Sequence, residues 1–318
     1  MTPIEQRAAA HSPHTSTHPH PTEDRPLIWI DGKLVPKSEA AVSVFDHGLL
    51  YGDGVFEGIR VYNRKIFKLG AHLRRIYRNA SAIHMDRQEQ PLPTPEEMAR
   101  ILRTCVEANE LVDGYIRLIF TRGQGTLGLN PFKCPKPTVI CIADQISLYP
   151  EEMYEQGMRV IVAQRPRTPS ACLDPRLKSL NYLNNILAKV EAIDEGCLEA
   201  IMLAVDGSVG ECTGDNLFLV KDGELLTSPL EVGMLDGITR AFVIEELAPE
   251  LGISVTERTL SLDDVYGADE IFLTGSAAEV IAVTQVGERE ISSGEGPVTR
   301  RLRTRFREIV SGDAVPED

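Results

Sequence analysis

The chain has 318 residues, a length that exceeds one typical hydrophobic core and suits two domains. Its 47 acidic and 33 basic residues give a formal charge of −14, which argues against nucleic acid or an anionic membrane as the main partner. No apolar run approaches the roughly 20 residues needed to span a bilayer. The six cysteines form no Cys-x-x-Cys pair and no zinc spacing, so we expect reduced thiols, no metal site and a cytoplasmic location.

Residues 1–25 differ in composition from the rest of the chain. They contain His11, His14, His18 and His20 among Pro, Thr and Ser, with almost no apolar side chains. Such a segment cannot bury enough surface to offset its ordering entropy, which predicts a disordered tail. Metal binding by the histidines is the alternative interpretation.

The first half of the ordered chain, 26–143, is predicted to be a small domain of strands and helices. Asp31-Gly32 lies between two apolar runs and predicts a hairpin. Thr94, Pro95 and Glu97 have the spacing of a helix N-cap, a first-turn proline and a capping box. The other predicted elements are a hairpin of Val55–Tyr62 with Lys65–Leu69, a helix from Ala71, and strands at Tyr115–Arg122 and Thr138–Ala143.

Residues 144–152 break this pattern and include Pro150, so we predict an interdomain linker there and a larger domain over 153–318. A helix is predicted at Asn181–Glu195, with Leu183, Ile186, Leu187, Val190 and Ile193 facing inward. Another is predicted at Ile238–Leu251, ended by Gly252. The other predicted elements are strands near Arg159–Ala163, Ala200–Val205, Asn216–Val220, Glu224–Thr227, Ile253–Glu257, Glu270–Leu273 and Val280–Thr284, and a helix near Val298–Val310.

Strands and helices are mixed without a strict βαβ alternation, which favours an α+β or mixed α/β fold. No G-x-G-x-x-G stretch or P-loop opens a helix after a strand, so nucleotide binding is not expected.

Lys178 precedes the helix predicted at Asn181–Glu195. By position alone it is a solvated surface lysine. However, Arg176 nearby and the flanking Leu177 and Leu180 would favour the uncharged amine that carbonyl chemistry requires. Four residues further on, Tyr182 is a packing side chain or a phenol that contacts a cofactor.

Two further segments have the residue types of an anion site. Gly237-Ile238-Thr239-Arg240 opens a predicted helix, whose N-terminal amides suit a phosphate as well as an ordinary cap. The segment Thr274 to Ala278 follows a predicted strand. Ser276 in this segment is either a second phosphate contact or part of an ordinary tight turn.

Glu211 lies between two glycines, where an acid could hold a proton on a pyridine nitrogen or occupy an ordinary turn. Tyr115 and Arg117 share one face of a predicted strand, opposite Ile116, Leu118 and Phe120. Arg117 therefore needs an anionic partner, either a substrate carboxylate or an internal acid.

The order and the amino-acid sequences of these segments resemble those of the class IV aminotransferases of fold type IV, most closely the branched-chain amino acid aminotransferases. The resemblance runs from about Trp29 to about Phe306. The matching stretches are Asp46-His47-Gly48, Tyr51 to Arg60, His72-Leu73-Arg74-Arg75, Tyr115-Ile116-Arg117, Leu127 to Pro131, Lys178 to Asn185, Glu211 to Phe218, Gly237 to Arg240 and Gly275 to Glu279.

The resemblance implies a two-domain, pyridoxal 5'-phosphate-dependent enzyme that exchanges amino groups between leucine, isoleucine or valine and 2-oxoglutarate. It implies that Lys178 is the Schiff-base lysine and proton shuttle, Glu211 the partner of the pyridine nitrogen, and Tyr182 that of the ring hydroxyl. It assigns the phosphate to Arg75, Ile238, Thr239 and Ser276, the side-chain pocket to Tyr51, Phe56, Tyr115 and Arg117, and the α-carboxylate to the Ala277-Ala278 turn. In this family Tyr51 reaches the neighbouring subunit's site, which implies a homodimer or a higher homo-oligomer.

Some features depart from the branched-chain pattern. The four-residue step from Lys178 to Tyr182 also occurs in D-amino acid aminotransferases, and the 144–152 linker has Tyr149 but lacks the tryptophan that some members place over the substrate. D-amino acid aminotransferase therefore stays open as an alternative, as do aminodeoxychorismate lyase and a non-catalytic binding protein. Glu57 to Arg60, Tyr115 to Arg117, and Leu127 to Pro131 favour the branched-chain enzymes.

Overall fold

The computed structural model describes residues 25–146, 149–312 and 315–318. The tail predicted at 1–25, with its four histidines, lies outside the described residues except for Arg25.

The first sheet is wholly antiparallel, with the order β2-β1-β6-β5-β3-β4. The hairpin predicted at Asp31-Gly32 is confirmed: both residues have positive φ, at 46° and 94°, as a tight primed turn requires. The strands of this sheet are β1 Leu27–Ile30, β2 Lys33–Pro36, β3 Gly54–Tyr62, β4 Lys65–Ile66, β5 Gly114–Thr121 and β6 Thr138–Asp144.

The second sheet has the order β12-β11-β10-β13-β14-β7-β8-β9, with β15 paired to β14. Strand β7 pairs in parallel with β8 and β14, and β11 with β12, whereas the other pairs are antiparallel. The strands are β7 Met158–Val162, β8 Glu199–Leu203, β9 Val209–Cys212, β10 Asn216–Lys221, β11 Glu224–Thr227, β12 Val255–Glu257, β13 Glu270–Gly275, β14 Glu279–Val286 and β15 Arg289–Glu290. The prediction of a mixed fold is confirmed.

Helices cover the sheets. The predicted capping box is present, since the Glu97 amide donates to Thr94 Oγ1 at 3.2 Å and the Thr94 amide donates to Glu97 Oε2 at 2.8 Å. The helix predicted at Ile238–Leu251 is present but contains one π-helical turn, Val243–Leu247. The α-helices are α1 His47–Tyr51, α2 Leu69–Ala82, α3 Pro95–Ala108, α4 Glu151–Gln156, α5 Leu183–Asp194, α6 Ile238–Phe242, α7 Ala248–Glu250, α8 Leu262–Tyr266 and α9 Pro297–Ser311.

The predicted orientation of α5 is wrong. Its large aliphatic side chains face solvent, and Leu183 is 66% exposed. Ala188 and Ala192 are instead fully buried against the second sheet. Small side chains let the helix lie close to the sheet, and the larger ones are left on the opposite face. The residues predicted to face inward and found exposed are Leu183, Ile186, Leu187, Val190 and Ile193.

The two sheets are consecutive along the chain. Strand β6 ends at Asp144 and β7 begins at Met158, and α4 begins at Glu151 between them. The segment predicted as a linker, 144–152, therefore separates the residues of the first sheet from those of the second. Within the described residues, no helix is long and apolar enough to cross a membrane.

Candidate active site

A cavity of about 330 Å³ is lined by residues from both sheets. Phe56 on β3 and Arg117 on β5 come from the first sheet, and Glu211 on β9 and Thr274 on β13 come from the second. Lys178 lies in the loop between β7 and α5 and faces the same space. Candidate site residues from separate segments of the sequence therefore line one cavity.

The loop that carries Lys178 is pinned to the first sheet. The Phe56 amide donates to the Lys178 carbonyl at 2.9 Å, and the Leu180 amide donates to the Gly54 carbonyl at 2.9 Å. The side chain of Lys178 extends into the cavity, where Nζ lies 3.2 Å from the Tyr182 hydroxyl and 4.8 Å from the centre of the Phe56 ring. Backbone pairing on both sides of the lysine fixes where its amine can reach.

Tyr182 is the residue immediately before α5, and its ring packs edge-on against Phe56 with centroids 5.0 Å apart. The phenol and the Lys178 amine therefore form one hydrogen-bonding pair above an aromatic wall.

Glu211 lies in a strand rather than in the turn that its flanking glycines suggest. Its carboxyl group is buried, with Oε1 2.5 Å from Arg167 Nη2, while Oε2 accepts from Asn216 Nδ2 at 3.0 Å. Burial raises the pKa of Glu211, and the Arg167 charge partly opposes that rise. The result is a fixed, buried carboxyl group of the kind that can pair with a protonated ring nitrogen.

Arg75 of α2 also lines the cavity. Its Nε and Nη2 both donate to the buried Glu57 carboxylate at 2.7 Å, and Nη1 donates to the Asp236 carbonyl at 2.5 Å. This geometry fixes the plane of the guanidinium group beside the N-terminus of α6.

The N-terminus of α6 is built for an anion. Its cap is Gly237, which supplies no side-chain hydrogen bond to the first amides of the helix. A Cβ on Gly237 would lie 1.9 Å from Asn216 Oδ1, so a larger residue would displace the Asn216 side chain. Thr274 is paired with Asn216 in the second sheet, and its buried hydroxyl has no hydrogen-bond partner among the described residues. Free amides, an arginine and an unpartnered hydroxyl together fit a phosphate group.

The remaining wall combines aromatic rings with a cation. The Arg117 guanidinium carbon lies 4.6 Å from the centre of the Phe56 ring and 5.6 Å from that of Tyr115. The predicted alternation of β5 is confirmed, since Tyr115 and Arg117 are half-buried and the intervening Ile116 is fully buried. Among the described residues, no carboxylate forms an ion pair with Arg117. The internal acid that the sequence left open as its partner is therefore not found there.

Comparison with known proteins identifies the family. The family model described as Amino-transferase class IV matches residues 54–286. The chain belongs to the class IV aminotransferases. A putative branched-chain-amino-acid aminotransferase of Methanocaldococcus jannaschii is 47% identical over 283 residues, which cover 89% of the aminotransferase described here and 96% of that relative.

Solved structures agree with this assignment. The branched-chain amino acid aminotransferase of Escherichia coli superposes on the aminotransferase with a TM-score of 0.86 at 34% identity, covering 92% of this chain and 96% of that chain. The T.th. branched-chain amino acid aminotransferase, complexed with N-(5'-phosphopyridoxyl)-L-glutamate, gives a TM-score of 0.82 at 37% identity, covering 92% and 95%. The predicted resemblance to this family, and the fold it implied, are confirmed.

The cavity of the aminotransferase collects all but two of the site residues predicted from its sequence. Tyr51 lies outside it, 37% exposed, with its hydroxyl accepting from the Gly128 amide at 2.9 Å. Ala278 is fully buried beside the cavity wall. The predicted residues that line the cavity are Phe56, Arg75, Tyr115, Arg117, Lys178, Tyr182, Glu211, Ile238, Thr239, Ser276 and Ala277.

Sequence reasoning missed several residues that shape the site of the aminotransferase. Arg167 contacts Glu211 although nothing in its local sequence marks it. Gly58 leaves room for the Tyr115 side chain, since a Cβ there would lie 1.6 Å from the Tyr115 hydroxyl; its position in the matching stretch Tyr51 to Arg60 was the available signal. Asp215 also lines the cavity and accepts a hydrogen bond from Tyr149, the aromatic residue already noted in the 144–152 segment.

Proposed function

We propose that this aminotransferase transfers amino groups between branched-chain L-amino acids (leucine, isoleucine and valine) and 2-oxoglutarate, with pyridoxal 5'-phosphate as cofactor. The observation that carries the proposal is Arg117, a cation without a carboxylate partner among the described residues, set in an aromatic wall beside Lys178. The rings suit a branched aliphatic side chain, and the guanidinium group suits the second carboxylate of glutamate. The relatives named branched-chain aminotransferases support the same reaction.

The residues around Lys178 fit the proposed cofactor. Bound pyridoxal 5'-phosphate supplies a carbonyl that takes up an amino group and a ring that accepts electrons. The Lys178 amine would hold the cofactor and would carry the proton to and from the substrate Cα. Glu211 would pair with the ring nitrogen and keep it protonated, and Tyr182 would donate to the ring oxygen. Arg75, Ile238, Thr239 and Ser276, all of which line the cavity, would hold the phosphate.

The substrate occupies the rest of the cavity in this proposal. Its α-carboxylate meets the Ala277-Ala278 turn, where small side chains leave the backbone amides accessible. Its side chain lies among Phe56, Tyr115 and Arg117. The partner subunit's copy of Tyr51 is proposed to complete this pocket, in keeping with its exposed position here.

A donor screen with holoenzyme tests the reaction. Leucine and 2-oxoglutarate should yield 4-methyl-2-oxopentanoate and glutamate, measured by chromatography, and isoleucine and valine should also react. The four-residue spacing from Lys178 to Tyr182 favours a second candidate, D-amino acid aminotransferase, so D-alanine is tested beside L-leucine. A preference for D-alanine, or release of pyruvate from aminodeoxychorismate, would replace the proposal with one of these alternatives.

Arg117→Gln should discriminate between the two substrate classes. Because the guanidinium group is proposed to bind the second carboxylate, KM for 2-oxoglutarate should rise about 10- to 100-fold, the size expected for losing hydrogen bonds to a charged group. KM for 4-methyl-2-oxopentanoate should change much less. Arg258→Gln, at an exposed ion pair with Asp264, is the matched control and should affect neither. Equal losses for both oxo acids would show that Arg117 does not bind the side-chain carboxylate.

A homodimer is the smallest assembly that we propose. The outward face of α5 exposes a stripe of aliphatic side chains, and Ile186 on this stripe also lines the cavity. A second exposed apolar group includes Leu49, Tyr51 and Leu129, the last being 81% exposed. Contiguous apolar surface of this kind is typical of subunit interfaces. A second copy that covers α5 would close the cavity beside Ile186.

Ile193→Glu should weaken this dimer. Ile193 lies at the end of the α5 stripe, 56% exposed and away from the cavity lining, so a buried charge would oppose association without altering the site. Light scattering coupled to gel filtration should report a shift from dimer to monomer mass. Val112→Glu, on an exposed loop beyond α3, serves as the matched control and should leave the mass unchanged. A fully dimeric Ile193→Glu would place the interface elsewhere.

We also propose that the domain boundary lies in 144–152 and that the enzyme works in the cytoplasm. The change of sheet along the chain supports the boundary. Free thiols at all six cysteines, five of them buried, are typical of a reducing compartment.

A further inference from the structure

Tyr149 and Asp215 form a buried pair on the cavity wall. The Tyr149 hydroxyl lies 3.2 Å from Asp215 Oδ2, and both residues are less than a tenth exposed. Tyr149 belongs to the segment that joins the two sheets, and Asp215 lies between β9 and β10. One hydrogen bond therefore ties the joining segment to the second sheet at the substrate cavity.

Asp215 is also packed against the turn that begins at Gly275. A Cβ on Gly275 would lie 2.0 Å from Asp215 Oδ1, so the carboxyl group occupies the space that any larger residue would need. Oδ2 accepts from Tyr149, and Oδ1 lies beside Gly275 on the cavity wall.

A second buried carboxyl group, Glu199 on β8, faces Asp215 but is bonded differently. Its Oε1 accepts from the amides of Ala200 and Thr213, each at 2.9 Å, and its Oε2 lies 3.4 Å from Lys189 Nζ. Among the described residues, the Asp215 carboxyl group receives a hydrogen bond from Tyr149 alone. When the two acids share a low-dielectric space, the one with fewer donors is the one that takes up a proton.

The environment of Asp215 also favours proton uptake by Asp215 rather than by Glu199. Burial raises the pKa of Asp215 to about 7, and Glu199 adds to the rise, while Lys189, Tyr149 and Lys178 oppose it. Tyr154 of α4 and Cys212 of β9 also interact electrostatically with Asp215.

We propose that Asp215 is a positioning residue that sets the direction of the Tyr149 hydroxyl and thereby selects between acidic and aliphatic substrate side chains. An ionised Asp215 can only accept, so the single Tyr149 proton points to it and the cavity side of the hydroxyl offers lone pairs. When Asp215 takes a proton from solvent it can donate to Tyr149 Oη. The Tyr149 proton is then free to bind a carboxylate at the end of the substrate side chain.

Proton uptake should therefore accompany binding of a diacid. This inference deepens the proposed function, because that reaction needs one cavity to accept both an aliphatic side chain and a carboxylate. Glutarate and 4-methylvalerate are matched probes, since both carry one carboxylate for the α-carboxylate position and they differ at the other end. Affinity for glutarate should be highest below pH 7 and should fall by up to about tenfold per pH unit above it. Affinity for 4-methylvalerate should not follow this profile.

The test is calorimetric titration of holoenzyme near pH 8 in two buffers with different ionisation enthalpies. Glutarate should bind with uptake of up to one proton, and 4-methylvalerate should bind with none. Asp215→Asn, whose amide can donate to Tyr149 at any pH, should bind glutarate with a flat pH profile and no uptake. Tyr149→Phe should bind glutarate weakly at every pH, also without uptake. Asp206→Asn, at an exposed turn, is the matched control and should behave as the parent enzyme.

Persistent proton uptake in Asp215→Asn, or equal uptake with both ligands, would overturn the inference. Cofactor absorbance and thermal unfolding establish that each variant is folded and loaded. The transamination assay with leucine and 2-oxoglutarate, run on the same preparations, separates the two proposals. Turnover without a difference in proton uptake between the two ligands would disprove the role of Asp215. A difference in proton uptake without turnover would disprove the proposed reaction.

Discussion

Lys178→Ala should abolish transamination. The same amine is proposed to hold the cofactor and to move the substrate proton, and proton transfer by a positioned side chain alone contributes about 10²- to 10⁴-fold. We therefore expect turnover to fall by at least about 10⁴-fold. The absorption band that depends on the bond between lysine and cofactor should also disappear. Stopped assays of leucine transamination and an absorption spectrum of the reconstituted variant measure the two effects.

Lys178→Arg separates charge from chemistry. Arginine keeps the cation near Phe56 and Tyr182 but does not deprotonate, so it should be nearly as inactive as alanine. Lys221→Ala changes an exposed lysine that is bonded to Asp269 and should retain full activity. Substantial turnover in Lys178→Arg would mean that the residue supplies only a positive charge.

Much of the site was predictable because its residues occur in short sequence motifs that are specific to the family. Lys178 and Glu211 are ambiguous alone, yet both lie in stretches that match the family in order. The confirmed structural predictions were also local. The Asp31-Gly32 turn and the capping box of α3 each depend on residues that are at most three positions apart.

The features that could not be predicted from the sequence depend on tertiary contacts between residues that are distant along the chain. Periodicity identifies an apolar stripe on α5 but not the surface that the stripe faces, so it predicts Ile193 to be buried although Ala192 is the residue that packs. Arg167 gains its role only from Glu211, which is distant in sequence. Asp215 is distinguished from other acids by burial and by the facing Glu199, which no local pattern reveals.

Glu57 shows the same dependence on tertiary contacts, since it lies in a matching stretch but had no assigned role. It is fully buried and accepts two hydrogen bonds from Arg75 and one, at 2.8 Å, from His72 Nδ1. Burial alone would raise the pKa of Glu57, but the Arg75 charge and the hydrogen bonds from Arg75 and His72 outweigh burial and hold the pKa well below its usual range. Since the folded-state pKa is depressed, Glu57 stabilises the fold above the ordinary glutamate range, and this contribution is lost only as the pH falls toward strong acid.

Glu57→Gln should therefore destabilise the enzyme at neutral pH. The amide leaves the buried Arg75 charge uncompensated, and breaking a buried ion pair costs about 3–5 kcal/mol. Urea unfolding of the cofactor-free protein measures the loss, and the acid limb of stability against pH should become shallower. Glu97→Gln, in the exposed capping box of α3, is a matched control that should cost about 1 kcal/mol or less.

The double variant Glu57→Leu with Arg75→Met separates stability from cofactor binding. Replacing a buried ion pair with apolar residues of similar volume is often neutral or stabilising, so most of the stability lost in Glu57→Gln should return. Cofactor affinity should not return, because the guanidinium group beside Gly237 is then absent and the phosphate keeps only the amides and hydroxyls of its site. A double variant that is stable and binds cofactor as tightly as the parent would show that Glu57 and Arg75 serve the fold alone.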